Sequence, residues 1–214
     1  MRWRCRQGVV PMLHLETLAP EALDLLRRIQ SRPEFKDTRL VGGAALGLHF
    51  GHRTSLDLDL FGKWKPVPPL ELALSKCAGK VVKEGGDERL QFFSADGIKI
   101  DCVTYPYAWL KPAIETEGLR IAAVEDIAAM KIAAATNRGT RKDFVDIYFI
   151  LRQYSLANVL EWYSEKYPDA NLYLVLRSLV YFDDAEMEPM PNVLEPLDWE
   201  AVKRLISDSV KALA

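Results

Sequence analysis

The sequence predicts an α+β protein with a small mixed sheet in its first half and helices in its second. Residues 56–61 and 98–103 alternate apolar and polar side chains, which is the period-two pattern of strands. From about residue 109 onward the strand signals nearly vanish and apolar residues recur at helical spacing. We therefore expect an α/β core over residues 13–107 and a helical lobe over residues 108–214.

The first half alternates helices with short strands. Pro20 suits the first turn of a helix, and Asp96 and Gly97 favour a hairpin turn between two strands. Helices are predicted over residues 20–30, 44–50 and 70–77. Strands are predicted over residues 39–41, 56–61, 89–94 and 98–105.

The second half reads as a series of helices followed by one acidic segment. Helices are predicted over residues 124–135, 140–153, 156–166, 171–181 and 199–213. Residues 181–200 hold seven acidic side chains and no Lys or Arg, and three prolines prevent one continuous helix there. We expect this segment to be an acidic surface loop rather than a partner site.

Composition narrows the function classes. The 214 residues are 49% apolar and 27% charged with a net charge of -2, which is typical of a globular protein and excludes a general basic coat for nucleic acid. RNA binding would need a local patch such as Arg138, Arg141 and Lys142. The three cysteines show no C-x-x-C spacing, so a reducing cytoplasm is expected. No apolar run approaches the ~20 residues of a membrane span.

The beginning of the chain is basic but lacks the apolar stretch of a secretory signal. We expect residues 1–12 to be a disordered tail, or a translated upstream segment with Met12 as the true start. The alternative is a basic arm that touches RNA.

The strongest chemical signal is the pair Asp57 and Asp59. In a strand both carboxylates point to one face, while Leu56, Leu58 and Leu60 are expected to be buried on the other. Two carboxylates this close repel one another, and a divalent ion such as Mg²⁺ resolves that conflict. The alternative is an exposed strand with two solvated aspartates, although aspartate is depleted in strands.

Two companions strengthen the metal interpretation. Gly42 and Gly43 lie between a strand and a helix, where backbone N–H groups can approach a phosphate, although paired glycines also make plain turns. Asp101 shares a strand face with Lys99 and becomes a third carboxylate beside Asp57 and Asp59 if the two strands are neighbours. Such a trio predicts a two-metal phosphoryl-transfer site.

Two basic residues of the second half are candidate phosphate ligands. Lys131 and Arg138 are seven positions apart and share one face if the helix continues. The small neighbours of Lys131 would leave its amine reachable, and the alternative is a solvated surface lysine. In the first half, Arg53 can meet a phosphate, fix its loop or form a structural ion pair.

Asp143 and Asp146 each allow two interpretations. Asp143 is a candidate catalytic group, but its spacing from Thr140 also suits a capping box. Asp146 lies four positions after Lys142 and can simply support it or Arg138.

The order of these motifs resembles the AbiEii/AbiGii-type nucleotidyltransferases. These are DNA-polymerase-β-like enzymes, and many are toxins of abortive-infection toxin–antitoxin pairs. Residues 42–46 and 51–61 are similar to the family's first motif, residues 124–131 to its lysine helix, residues 138–148 to its K-D-x-x-D segment, and residues 181–186 to a further familial stretch. The resemblance extends over about residues 13–210.

The resemblance implies a polymerase-β-like lobe and a helical lobe that completes the cleft. The implied reaction moves a nucleoside monophosphate from an NTP onto an acceptor hydroxyl of RNA, such as tRNA, or of a protein. Gly42 and Gly43 would cradle the triphosphate, Asp57 and Asp59 would hold Mg²⁺ or Mn²⁺, and Lys131 would contact the triphosphate. Asp143 would lie near the acceptor as a candidate base. A cognate antitoxin is the implied partner. 

One position departs from the superfamily's pattern, and two other function classes remain. Gly43 and Ala44 stand where a Ser or Thr is usual, so backbone N–H groups would replace the hydroxyl. One alternative is a non-catalytic nucleotide-binding member of the same fold that acts through a partner. The other is a D-x-D glycosyltransferase, which leaves Asp101 and Lys131 without roles.

Overall fold

The structure is a computed structural model that describes residues 12–64 and 69–213. It divides into two compact units. The sheet unit comprises residues 12–107 and 112–123, and the helical unit comprises residues 108–111 and 124–213. Apart from Met12, the tail expected over residues 1–12 lies outside the described residues.

The sheet unit is built on one mixed seven-stranded sheet. The strands are β1 Thr38–Val41, β2 Leu58–Gly62, β3 Val81–Gly86, β4 Leu90–Ala95, β5 Ile98–Thr104, β6 Ile114–Thr116 and β7 Leu119–Ile121. Their order across the sheet is β3-β4-β5-β2-β1-β7-β6. Strand β2 pairs antiparallel with β1 and parallel with β5, so β2 and β5 are central neighbours. The sheet confirms the predicted mixed architecture.

Three helices accompany the sheet. They are α1 Pro20–Gln30, α2 Gly42–Phe50 and α3 Leu70–Leu74. Helix α1 starts at Pro20 as predicted and buries Leu23, Leu26 and Ile29. Helix α2 follows β1 directly and is buried along most of its length. The burial of α2 fixes the turn at which the strand becomes a helix.

The helical unit is organised around one central helix. Its helices are α4 Val124–Asn137, α5 Arg141–Leu151, α6 Leu156–Lys166, α7 Leu172–Leu179, α8 Asp183–Glu186 and α9 Trp199–Lys211. Helix α4 packs against α5, α6 and α7, and α9 packs against α5. Phe144 is fully buried against Phe182 and Trp199, so it is a core residue rather than a base-stacking surface.

Several elements differ from the sequence predictions. Strand β2 begins at Leu58, and Leu56, which was expected to be buried, is 78% exposed. Strands β3, β6 and β7 were missed because β3 is an exposed edge strand and the other two have three residues each. The predicted helix over residues 70–77 ends at Leu74, and the acidic segment contains the short helix α8. In the described residues, no helix is long and apolar enough to cross a bilayer.

Candidate functional site

Three carboxylates lie on or beside the central strands β2 and β5 of the sheet unit. Asp59 of β2 and Asp101 of β5 are direct register partners, because these strands are parallel neighbours. Asp57 lies one residue before β2 and two positions before Asp59. The neighbouring strands that the sequence interpretation required are therefore present. We call Asp57, Asp59 and Asp101 the carboxylate trio.

One carboxylate oxygen of Asp101 contacts Lys99, and the other has no hydrogen-bond partner among the described residues. Its Oδ2 lies 3.2 Å from the Lys99 ammonium nitrogen, and its side chain is 16% exposed. Its Oδ1 is buried and has no hydrogen-bond partner among the described residues. An unsatisfied buried acceptor costs about 1–3 kcal/mol, so this oxygen is suited to an added ligand.

Lys99 is the cation of this cluster. Its nitrogen lies 5.9 Å from the ring centroid of Phe92, on the neighbouring strand β4. Partial burial alone would lower the pKa of Lys99, but the hydrogen bond to Asp101 and the charges of Asp101, Asp57 and Asp59 raise it. All three carboxylates are thus close enough to act on this one ammonium group.

The glycine pair lies directly against charged side chains. Gly42 has φ +69, and a Cβ atom there would collide with Oδ2 of Asp59. A Cβ atom on Gly43 would collide with Nη2 of Arg53. A side chain at Gly42 would therefore force Asp59 to move, and one at Gly43 would force Arg53 to move.

Arg53 is held inside the sheet unit rather than in solvent. Its side chain is buried, and Nη1 donates a hydrogen bond of 3.1 Å to the carbonyl oxygen of Thr54. This contact supports the predicted role in fixing the loop. The guanidinium also lies against Gly43, so its positive charge is near the start of α2.

The trio has the donor chemistry of a hard divalent cation. In residues 12–64 and 69–213, no group of three or more His, Cys, Asp or Glu side chains is placed so that it could hold a metal ion. Mg²⁺ does not need such a group, because it commonly uses one or two carboxylates together with substrate phosphates and water. The all-oxygen donors and the unsatisfied Oδ1 of Asp101 fit such an ion.

In the helical unit, Lys131 lies between two buried carboxylates. Its ammonium nitrogen is 3.0 Å from Oδ1 of Asp143 and 2.6 Å from Oδ2 of Asp146. The lysine side chain is only 6% exposed and both aspartates are fully buried. The alternative of a solvated surface lysine is therefore wrong. The sequence interpretation also missed that Asp146 pairs with Lys131.

Asp143 accepts hydrogen bonds from three side chains. Besides Lys131, the donors are Arg138, through Nε at 2.8 Å and Nη2 at 3.2 Å, and the Thr140 hydroxyl at 2.6 Å. Burial alone would raise the pKa of Asp143, but the Lys131 charge and the bonds from Arg138 and Thr140 lower it from 3.8 to about 2. The carboxylate is thus committed to these side chains. We call Lys131, Arg138, Asp143 and Asp146 the buried quartet.

Arg138 is the member of the quartet that reaches solvent. Its side chain is 56% exposed although its guanidinium is bound to Asp143. It borders a cavity of about 90 Å³. The cavity is lined by Ala135, Thr136, Asn137, Arg138, Gly139, Ser178, Tyr181 and Asp184.

Arg141 is not part of the exposed basic patch that RNA binding would need. Its guanidinium donates to the carbonyl oxygens of Ala185 and Glu186 and lies 4.7 Å from the Trp199 ring centroid. Arg141 therefore stabilises the acidic segment, and only Arg138 and Lys142 of the three expected basic residues remain exposed enough to bind RNA.

The sequence analysis did not predict a second buried ion pair in the helical unit. Lys166 and Asp126 are fully buried, and their charged atoms are 2.6 Å apart. Asp126 also accepts from the backbone N–H groups of Leu110 and Lys111, and Lys166 donates to the carbonyl oxygen of Ala108. This pair fixes the segment 108–111 to the helical unit. The partners are 40 positions apart and no local pattern connects them.

Comparison with known proteins agrees with the motif order. A family model described as nucleotidyl transferase AbiEii toxin, Type IV TA system, matches residues 24–212. An uncharacterized protein of Aquifex aeolicus is 31% identical over 207 residues, which is 92% of this chain and 98% of that protein.

Two solved structures share the fold at low sequence identity. JHP933 from Helicobacter pylori has a TM-score of 0.57 and 16% identity, and the match covers 90% of this chain and 88% of the other. MenT4, a nucleotidyltransferase toxin from Mycobacterium tuberculosis, has a TM-score of 0.62 and 14% identity over 88% of this chain and 80% of its own. With the family model matching most of its length, the chain belongs to the AbiEii nucleotidyltransferase toxin family.

Proposed function

We propose that the protein is a Mg²⁺-dependent toxin that transfers a nucleoside monophosphate from an NTP to an acceptor hydroxyl. Family membership supports nucleotidyl transfer as the reaction class. The observation that carries the metal-dependent part is the register pairing of Asp59 with Asp101 on neighbouring strands, with Asp57 two positions before Asp59. The carboxylate oxygens of the trio are the donors that a hard divalent cation prefers.

The sheet unit supplies the metal ligands and part of the phosphate site. Asp57, Asp59 and Asp101 would hold Mg²⁺, with Mn²⁺ as a substitute, and the ion would offset the negative charge that develops on the transferred phosphate. The turn at Gly42 and Gly43 lets the backbone come close to a triphosphate. Arg53 adds a fixed positive charge next to that turn.

By its resemblance to the family, we assign Lys131 and Arg138 of the helical unit to triphosphate binding. Asp143 and Asp146 hold the Lys131 ammonium, and Asp143 also holds the Arg138 guanidinium. A carboxylate whose pKa is about 2 is a weak base at neutral pH. We therefore assign Asp143 a positioning role in place of the base role that the resemblance implied.

The acceptor in this proposal is an RNA, such as a tRNA, or a protein hydroxyl. Exposed Arg138 and Lys142 offer a small basic surface for RNA. A toxin of this family implies a cognate antitoxin that limits the toxin's effect.

The deciding experiment incubates the protein with each α-³²P-labelled NTP, MgCl₂ and total RNA or cell lysate. We expect one NTP to label one class of RNA or protein, and EDTA to abolish the label. The Asp57→Asn variant should transfer no label to any acceptor, because the change removes one negative charge of the carboxylate trio. Glu84→Gln, which neutralises an exposed carboxylate on the edge strand β3, is the matched control and should label like the wild type.

The pattern of labelling separates the candidate functions. Label on a single RNA or protein band identifies the base and the acceptor together. If no NTP gives label although the protein binds NTP, the non-catalytic nucleotide-binding alternative replaces the proposal. Labelling that persists in Asp57→Asn would contradict the metal role of the trio.

A further inference from the structure

Lys99 is positioned toward the carboxylate trio by the geometry of strand β5. It lies two residues before Asp101, so both side chains leave the same face of the strand. Its nitrogen is 3.2 Å from Oδ2 of Asp101, and its stem extends along Phe92 of β4. The lysine side chain is 47% exposed, so its ammonium group can leave this contact without an opening of the core.

The strand register also brings Asp57 toward Lys99. Leu58 of β2 is paired with Ile100 of β5, and Asp59 is paired with Asp101. Asp57 and Lys99 are the residues that directly precede this first register pair. The ammonium group is therefore held by the carboxylate of Asp101 and attracted by those of Asp57 and Asp59.

We propose that the Lys99 ammonium is a built-in counter-ion of the trio, which holds the three carboxylates together when no divalent ion is bound and is displaced when one binds. This inference rests on the proposed function, because it takes the trio as the metal site. The Lys99 contact occupies only Oδ2 of Asp101, so Oδ1 is the oxygen at which an incoming ion first gains a ligand.

The proposal assigns Lys99 a positioning role with two opposite effects. Without metal, it offsets the mutual repulsion of three carboxylates and stabilises their arrangement. With metal, its positive charge competes for the same oxygens and weakens ion binding. Lys99 thereby sets the affinity for the divalent ion and keeps the site assembled between turnovers.

The first test measures the Lys99–Asp101 interaction in the protein without metal. Wild type, Lys99→Met, Asp101→Asn and the double variant are melted in EDTA at one pH. We expect Lys99→Met to lower Tm by about 1–3 °C, and to lower it less when Asp101 is already replaced. Lys83→Met is the matched control, because Lys83 is exposed on the edge strand β3, and it should leave Tm unchanged.

The second test measures metal affinity directly. MnCl₂ is titrated into each protein without nucleotide, and free Mn²⁺ is followed by electron paramagnetic resonance. We expect Lys99→Met to bind Mn²⁺ about three- to tenfold more tightly than wild type, because a competing positive charge is gone. Lys83→Met should bind like wild type, and Asp59→Asn should bind more weakly.

The outcomes separate this inference from the proposed function. Tighter Mn²⁺ binding in Lys99→Met, together with coupling to Asp101 in EDTA, supports the counter-ion role. Unchanged or weaker Mn²⁺ binding in Lys99→Met, or an absence of coupling, overturns that role. If Asp59→Asn still loses Mn²⁺ in that case, the metal site itself stands. If wild type binds no Mn²⁺ at millimolar concentration, the metal site fails and displacement fails with it.

Discussion

The two charged clusters of this protein solve the problem of buried charge in different ways. The carboxylate trio of the sheet unit leaves one buried oxygen of Asp101 without a hydrogen-bond partner among the described residues. The buried quartet of the helical unit balances two carboxylates with Lys131 and Arg138 at distances of 2.6–3.0 Å. Neutralising a charge in the trio should therefore remove function with little loss of stability, whereas neutralising one in the quartet should lower stability together with function.

The largest expected effect is the loss of activity in Asp59→Asn. A missing metal ligand should reduce nucleotidyl transfer by about 10³–10⁴-fold, or about 4–5 kcal/mol of barrier. The same change relieves repulsion with Asp101, so urea denaturation should show no loss of stability beyond about 1 kcal/mol. A large loss of stability in Asp59→Asn would contradict the distinction between the trio and the quartet.

Asp143→Ala, unlike Asp59→Asn, should destabilise the fold strongly. We expect a loss of about 3–4 kcal/mol in the free energy of unfolding. The change leaves Lys131 buried with one carboxylate fewer and removes the acceptor of Thr140 and Arg138. Urea denaturation measures the loss. Lys142→Ala, at the exposed neighbouring position, is the control and should change stability by no more than about 0.5 kcal/mol. Equal stability of the two variants would show that the quartet is not essential to the fold.

Acid should remove the contribution of Asp143 as well. Its pKa is about 2 in the folded protein and 3.8 ordinarily, so its stabilisation is present above about pH 4 and lost as the pH falls through 2. The amount is about 2 kcal/mol. The free energy of unfolding can be measured by urea denaturation at several pH values between 5 and 2. Its slope against pH should be shallower for Asp143→Asn than for wild type. Parallel slopes would contradict the lowered pKa.

The smallest effect sharpens the link between the glycine turn and the trio. Gly42→Ala and Gly97→Ala both force a side chain onto a positive φ, which should cost each variant about 1 kcal/mol of stability. Only the Cβ at Gly42 meets Asp59, whereas no atom lies within 4 Å of a Cβ at Gly97. Thermal melts should thus change similarly, but nucleotidyl transfer should fall in Gly42→Ala alone. Equal nucleotidyl transfer in both variants would show that the turn at Gly42 does not affect the carboxylate trio.

Local patterns predicted the carboxylates of the sheet unit well. Alternation along residues 56–61 and 98–103 gave the right face for Asp59 and Asp101, because side-chain direction in a strand follows position alone. The same alternation was wrong for Leu56, since the strand starts only at Leu58 and the period does not tell where a strand begins.

Contacts between distant segments were less accessible to sequence reasoning. Lys131 and Asp143 were singled out, but their direct ion pair joins two helices, and the partners considered for Asp146 were Lys142 and Arg138 instead of Lys131. The Asp126–Lys166 pair joins α4 to α6 and has no local signature at all. Ion pairs of this kind depend on helix packing, which residue spacing along one helix does not encode.

The amino-acid sequence by itself determined which side chains are candidates for the chemistry and which face of a strand or helix they occupy, because backbone periodicity is a local property. The tertiary structure decided which of those side chains meet. Parallel pairing of β2 and β5 set Asp59 beside Asp101 and brought Lys99 to the trio, and the packing of α4 on α5 enclosed Lys131 between two aspartates. These arrangements arise from burial of apolar surface between segments far apart in the chain, which no single segment specifies.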